Sequence, residues 1–216
     1  MANVDDLVAR IDSEFAHSEQ RIKNLQNEAL AAYEGRQERF KTFVKTCERL
    51  QDVWRPRLEA LAKKFADQVQ VTPSVARGTR QVTLAFKSPL AAVELEFSAS
   101  TDPDVRKLVL EYDLEILPIL MEFPRHAQFE APLENVESAA VGKWIDDRII
   151  DFVKSYLAMQ HNQYYLKDHM VTDPISGTTL PKFAAAATLD RDGTTYHFIS
   201  EKTRDEFAAR SGSGRK

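Results

Sequence analysis

Leu108-Val109-Leu110-Glu111-Tyr112-Asp113-Leu114-Glu115-Ile116 decides the fold. From Leu110 onward apolar and acidic side chains alternate. A period of two puts Leu110, Tyr112, Leu114 and Ile116 on one face of an extended chain, with Glu111, Asp113 and Glu115 on the other. The same period recurs upstream, in Val82-Leu84-Phe86 and in Val93-Leu95-Phe97, the latter alternating with Glu94 and Glu96. A fourth segment runs through Ile119, Met121 and Phe123 to Phe129, interrupted by Pro124. Ser88-Pro89 and Thr101-Asp102-Pro103-Asp104 supply turns. Such short connections predict a four-stranded antiparallel meander, because parallel strands need long crossovers.

One face of this sheet then gathers Glu94, Glu96, Glu111, Asp113 and Glu115. Three readings fit that face: a dock for a basic partner, a seat for a hard divalent cation, or an ordinary solvated surface. Charge distribution singles out the same region. Residues 71–135 carry 6 basic and 10 acidic side chains, which accounts for the whole net charge of −4.

Helical patterns flank the sheet. Val4, Val8, Ile11, Phe15, Ser18, Ile22, Leu25, Ala29 and Ala32 follow one another in steps of four and three, which is heptad spacing. The stripe resumes at Phe40, Phe43, Cys47, Leu50, Trp54, Leu58, Leu61 and Phe65. Paired steps of four near Gly35 and near Trp54-Pro56 predict a bend or break at each place. The stripe forms a coiled coil, as a hairpin folded near Gly35 or between two chains, or else it covers the protein's own sheet. Cys47 lies on it and reads as a buried structural thiol. After the sheet, a helix from about Asn135–Ser138 to Gln160 carries Trp144, Ile145, Ile149, Phe152, Val153, Tyr156, Leu157 and Met159 on one side. The fold class is therefore α+β. The predicted parts are a helical arm over residues 1–70, a sheet-and-helix core over 71–165, a small module over 166–209 and a disordered Ser/Gly tail over 210–216.

The module carries the most specific pattern. It reads Asp173-Pro174-Ile175-Ser176-Gly177-Thr178, then Gly193, then Tyr196-His197-Phe198-Ile199-Ser200, then Thr203 and Phe207. It resembles a YHS domain, a metal-handling module, through Asp173, Pro174, Gly177, Gly193, Tyr196, Phe198, Ser200 and Phe207. The resemblance implies that Ser176, Ile199 and Thr203 stand where the family has cysteine, and Thr178 where it has methionine. Hydroxyls are weak neutral ligands and isoleucine cannot ligate, so no structural metal is expected. His197, His169 and Asp173 are the remaining ligand candidates. Packing of Ile175, Leu180, Leu189, Tyr196, Phe198, Ile199 and Phe207 must then hold the module, which is expected to dock on the core against the second long helix.

The balance of charge disfavours a nucleic-acid partner, which needs clustered Lys and Arg. No run of apolar residues approaches a membrane span. A single cysteine and the lack of a basic-then-apolar start fit a cytoplasmic protein. No phosphate loop, nucleophile elbow or zinc-protease motif occurs, and His17, His126 and His161 stand apart from any such pattern. These features describe a non-enzymatic binding or assembly protein without a cofactor, meeting a protein partner or a second copy through its N-terminal helix. The alternatives are a metal-handling protein with altered ligands, and a small-molecule carrier with a pocket between sheet and helix.

Overall fold

The structure is a computed structural model that describes residues 4–212. It is α+β. Helix α1 spans Val4–Phe65 and leads into β1 (Val69–Ala76), β2 (Thr79–Phe86), β3 (Ala92–Thr101), β4 (Lys107–Leu117) and β5 (His126–Pro132). These form one antiparallel sheet in the order β1-β2-β3-β4-β5. Helix α2 (Ser138–His161) and a short α3 (Gln163–Leu166) follow. The chain ends in hairpin β6 (Met170–Thr172) with β7 (Thr179–Pro181), hairpin β8 (Ala187–Arg191) with β9 (Thr194–Phe198), and α4 (Glu201–Gly212).

The sheet has five main strands where four are predicted. The extra one is β1, whose Pro73 and Arg77-Gly78 read as a boundary. In fact Val71, Pro73 and Val75 pair with Leu84, Val82 and Arg80 of β2. An edge strand tolerates proline because one side of its backbone bonds to no neighbour. Gly78, at φ +82°, closes the β1–β2 hairpin in the left-handed region that glycine enters without a Cβ penalty. The predicted fourth strand also shortens. Residues 119–125 lie outside the sheet, and Ile119 and Leu120 are exposed between Pro118 and Pro124. Tyr165 holds this segment in place: its hydroxyl donates to the Pro118 carbonyl (2.6 Å) and accepts from the Leu120 amide (3.1 Å).

A bend or break is predicted near Gly35 and near Pro56, and neither place is a break: helix α1 runs unbroken through both. Pro56 deprives the Asp52 carbonyl of its helical donor, but Asp52 is exposed and water can take that place. On the opposite side Leu50, Trp54, Leu58 and Leu61 press on the core and hold the helix together through the gap. An unbroken helix excludes the hairpin folded near Gly35.

The core sits between the apolar face of the sheet and two helices. Phe43, Cys47, Leu50 and Leu61 of α1 meet Leu84, Leu95, Leu110, Tyr112 and Ile116 of the sheet, with Val141, Ile145, Phe152 and Met159 of α2. Phe65, Phe86, Phe152 and Tyr156 join the three layers through ring contacts at 4.5–6.2 Å. Where α1 crosses α2, Gly142 leaves room for Arg57, and a Cβ there would lie 2.9 Å from the guanidinium. Arg57 uses that room to reach Asp146 (2.8 Å) and the Val53 carbonyl (2.7 Å).

The disordered tail predicted over residues 210–216 overlaps a helix at its start. Helix α4 continues to Gly212, and residues 213–216 lie outside the described residues.

Candidate functional site

Four features compete as the functional site. The first is the amino-terminal half of α1. Its heptad stripe is bare: Val8, Ile11, Phe15, Ile22 and Leu25 are all exposed, Phe15 by 67%. The same stripe is sealed further along, where Phe43 and Leu50 are 0% exposed. The changeover comes at the β3–β4 loop. Arg39 Nε donates to the Asp104 carbonyl (3.0 Å), and Arg36 stands 3.8 Å from the Asp104 carboxylate. Everything before Arg36 projects from the body as an arm.

The second is the acidic face. Strand register places Glu94 opposite Glu115, Glu96 opposite Asp113, and Ser98 opposite Glu111, so all five predicted carboxylates share one surface. Cross-strand like charges repel, and two neighbours relieve this. Ser98 Oγ donates to Glu111 (3.3 Å), and the His126 ring sits 2.8 Å from Asp113. His126, which stands alone in the sequence, therefore belongs to this face. Strand order is the signal that reveals it, because Asp113 and His126 are register partners.

The third is a groove of about 450 Å³ between α1 and the free edge of the sheet. Trp54 and Leu58 form one wall, Val71, Val75 and Val82 the other, and Trp144 lies at the floor. Helix α1 leaves the side of β1 that faces it uncovered here. Arg80 lines the groove with Gln51 and Ser74. Cys47 also lines it but is 2% exposed, and burial pushes its thiol up to about 11, so it is a protonated, inert group at neutral pH. The sequence holds a signal for this wall, since Val69, Val71 and Val75 alternate with Gln70, Thr72 and Ser74, but Pro73 and Arg77-Gly78 read as a boundary and mask it.

The fourth is the carboxyl-terminal module, centred on Asp173. Its side chain is fully buried. Oδ1 accepts from the amides of Ile175 (2.8 Å) and Ser176 (3.1 Å), and Oδ2 accepts from the amide of Ile199 (3.0 Å). Burial alone raises a carboxyl pKa. Here these three amides and the Thr203 hydroxyl outweigh it and bring Asp173 down to about 2. The carboxylate thus ties the β6–β7 turn to the β9–α4 corner. Around it are Leu180 and Phe198, both buried, and Phe207, whose ring lies 4.7 Å from Tyr196 and 5.5 Å from Phe198. Leu180 and Phe198 stand apart from the main core cluster, so the module has a small core of its own. Ile199 departs from expectation. Its side chain is 40% exposed, and its contribution to the module is the backbone N–H.

The metal candidates do not converge. Among the described residues no group of three or more His, Cys, Asp and Glu side chains is placed to hold a metal ion. His169 instead uses its backbone, donating to Leu166 (2.9 Å) and accepting from Lys182 (2.7 Å), while Nδ1 of His197 is buried without a partner. No helix is long and apolar enough to cross a membrane, among the described residues.

No protein-family model matches the chain, and no curated protein or solved structure is significantly similar to it.

Proposed function

We propose that this is a non-enzymatic assembly protein acting through protein–protein contacts, with the bare stripe of α1 as its contact surface. One observation carries the reading: a single helix has one continuous apolar stripe, packed against the body from Phe43 onward and exposed from Val4 to Leu25. A helical segment with no surface to pack on is marginal in water, and its apolar stripe is stabilised when another helix covers it. The acidic face supports this reading as a solvated surface that keeps the body soluble. The YHS-like reading of the module is supported by the three positions where the resemblance places cysteine, Ser176, Ile199 and Thr203, meeting around Asp173.

Sedimentation equilibrium of the full chain tests the proposal. The wild type is expected to associate reversibly, and Ile11→Glu/Ile22→Glu to remain monomeric with an unchanged body. A wild type that stays monomeric, with any dissociation constant above about 1 mM, removes the assembly reading.

The groove favours a second reading, a carrier of small amphipathic molecules. Its lining is mainly apolar, and Arg80 and Arg55 offer cations to an anionic head, with Glu48 and Glu59 also on the lining. The chain has 2 tryptophans, and both line the groove. Titration with decanoate is therefore expected to shift the indole emission saturably. Emission that does not respond, or responds only at micelle-forming concentrations, rules the carrier reading out.

A further inference from the structure

Resting on the assembly reading above, we infer that the arm's partner is a second copy of this chain, lying antiparallel in one particular register. With Val8, Phe15, Ile22 and Ala29 at heptad position a, and Val4, Ile11, Ser18, Leu25 and Ala32 at d, the seam spans four heptads. The flanking e positions are Asp5, Asp12, Glu19, Gln26 and Tyr33, and the g positions are Leu7, Glu14, Arg21, Glu28 and Gly35. These flanks decide between orientations. A parallel pair sets each g residue beside the e residue five places on, so Glu14 meets the partner's Glu19 on both sides and no opposite charges meet. An antiparallel pair sets g beside g and e beside e.

One antiparallel register satisfies charge, volume and space together. It places Phe15 beside the partner's Ser18, Val8 beside the partner's Leu25, Ile22 beside the partner's Ile11 and Val4 beside the partner's Ala29. The largest ring on the seam thus faces its smallest polar side chain. Glu14 then lies beside the partner's Arg21, twice by symmetry. The register has one cost, Asp12 near the partner's Glu19, at exposed positions where solvent and salt weaken repulsion.

Neighbouring registers fail for separate reasons. Sliding one heptad outward brings Glu14 against the partner's Glu14. Sliding one heptad inward brings Arg21 against the partner's Arg21. Two heptads inward would pair Arg21 with the partner's Glu28, but it carries the partner's Val4 to the level of Phe43, where this face of α1 is already buried in the body. In the favoured register the partner's Val4 stops level with Ala29, about 10 Å short of Arg36 and its contact with Asp104. The result is a twofold dimer with a body at each end, an isologous interface of the commonest oligomeric type.

Charge reversal and crosslinking test this geometry in the full chain. Glu14→Arg puts two arginines together at both symmetric places and is expected to weaken dimerisation about tenfold. Adding Arg21→Glu to it is expected to restore wild-type affinity within about threefold. In a parallel pair Glu14→Arg would relieve a repulsion and tighten the dimer. Leu25→Cys gives a second readout, because antiparallel arms hold the two sulfurs about 25 Å apart and parallel arms hold them in contact. Mixing Val8→Cys with Leu25→Cys chains is expected to yield the mixed disulfide and little Leu25→Cys homodimer. A tighter Glu14→Arg dimer, or efficient Leu25→Cys self-crosslinking, overturns the antiparallel register while leaving assembly intact. A monomeric wild type overturns both.

Discussion

The sheet body and the carboxyl-terminal module hold together by different means. The body buries side chains from three layers, and among its largest fully buried groups are Phe43, Leu50, Leu84, Leu95, Ile116 and Phe152. The module has two buried apolar side chains, Leu180 and Phe198, and one buried charge. A unit of about 40 residues cannot remove enough apolar surface from water to stand on burial alone, so many such units add a metal or disulfides. Here a buried carboxylate joins the parts of the module. Asp173 is cross-linked to both halves by backbone amides, and its charge makes each bond stronger than a neutral one. Nonpolar contact can be spread over many residues and tolerates loss at any one of them. A single ionic hub concentrates the same task in one titratable group.

This contrast can be broken at either end. Leu50→Ala removes a fully buried side chain from the body and is expected to cost about 3–4 kcal/mol in urea unfolding, equally at pH 7 and pH 4. A loss below about 1 kcal/mol would show that the α1–sheet layer contributes little to the core. Asp173→Ala should act locally, leaving three buried amides without acceptors, on the order of 3 kcal/mol confined to residues 170–207 by hydrogen exchange. Acid should reproduce it in the wild type. Asp173 is depressed from 3.8 to about 2, so the stability it contributes is complete above pH 4 and drains away as pH falls towards 2. Amides of the module should open in that window before those of the sheet. Ile199→Ala is expected to change module stability by less than about 0.5 kcal/mol, since its side chain is exposed and only its N–H is used. A module that survives Asp173→Ala and melts with Ile199→Ala would reverse the assignment of hub and bystander.

The same contrast explains which parts of the molecule are legible in the amino-acid sequence. Alternation in Leu108–Ile116 announces the strand and its partners because a half-buried sheet imposes its period on the side chains. The heptad stripe announces α1 for the same reason. Strand β1 escapes although Val69, Val71 and Val75 alternate with Gln70, Thr72 and Ser74, because Pro73 and Arg77-Gly78 read as a boundary, and only an exposed edge strand accommodates that proline. The acidic face is legible residue by residue, whereas His126 joins it through strand order alone. In the sequence Asp173 is part of a turn signature and a weak ligand candidate. Its role as a buried acceptor depends on Ile199 and Thr203, more than 25 residues away, and local spacing carries no trace of that. Of the bend or break expected at Gly35 and Pro56, no break occurs: at Pro56 packing of Leu50, Trp54, Leu58 and Leu61 overrides the local preference, and at Gly35 a single glycine does not end a helix.

An unbroken α1 has a mechanical consequence. At 62 residues it is a rod about 90 Å long. Its far portion forms one wall of the groove through Trp54 and Leu58. Force applied at the tip, by whatever grips it, reaches that wall without passing through a hinge. Beyond the clasp of Arg36 and Arg39 on Asp104, Phe43, Leu50 and Leu61 seat the helix in the core, so a load on the tip is borne by the body itself.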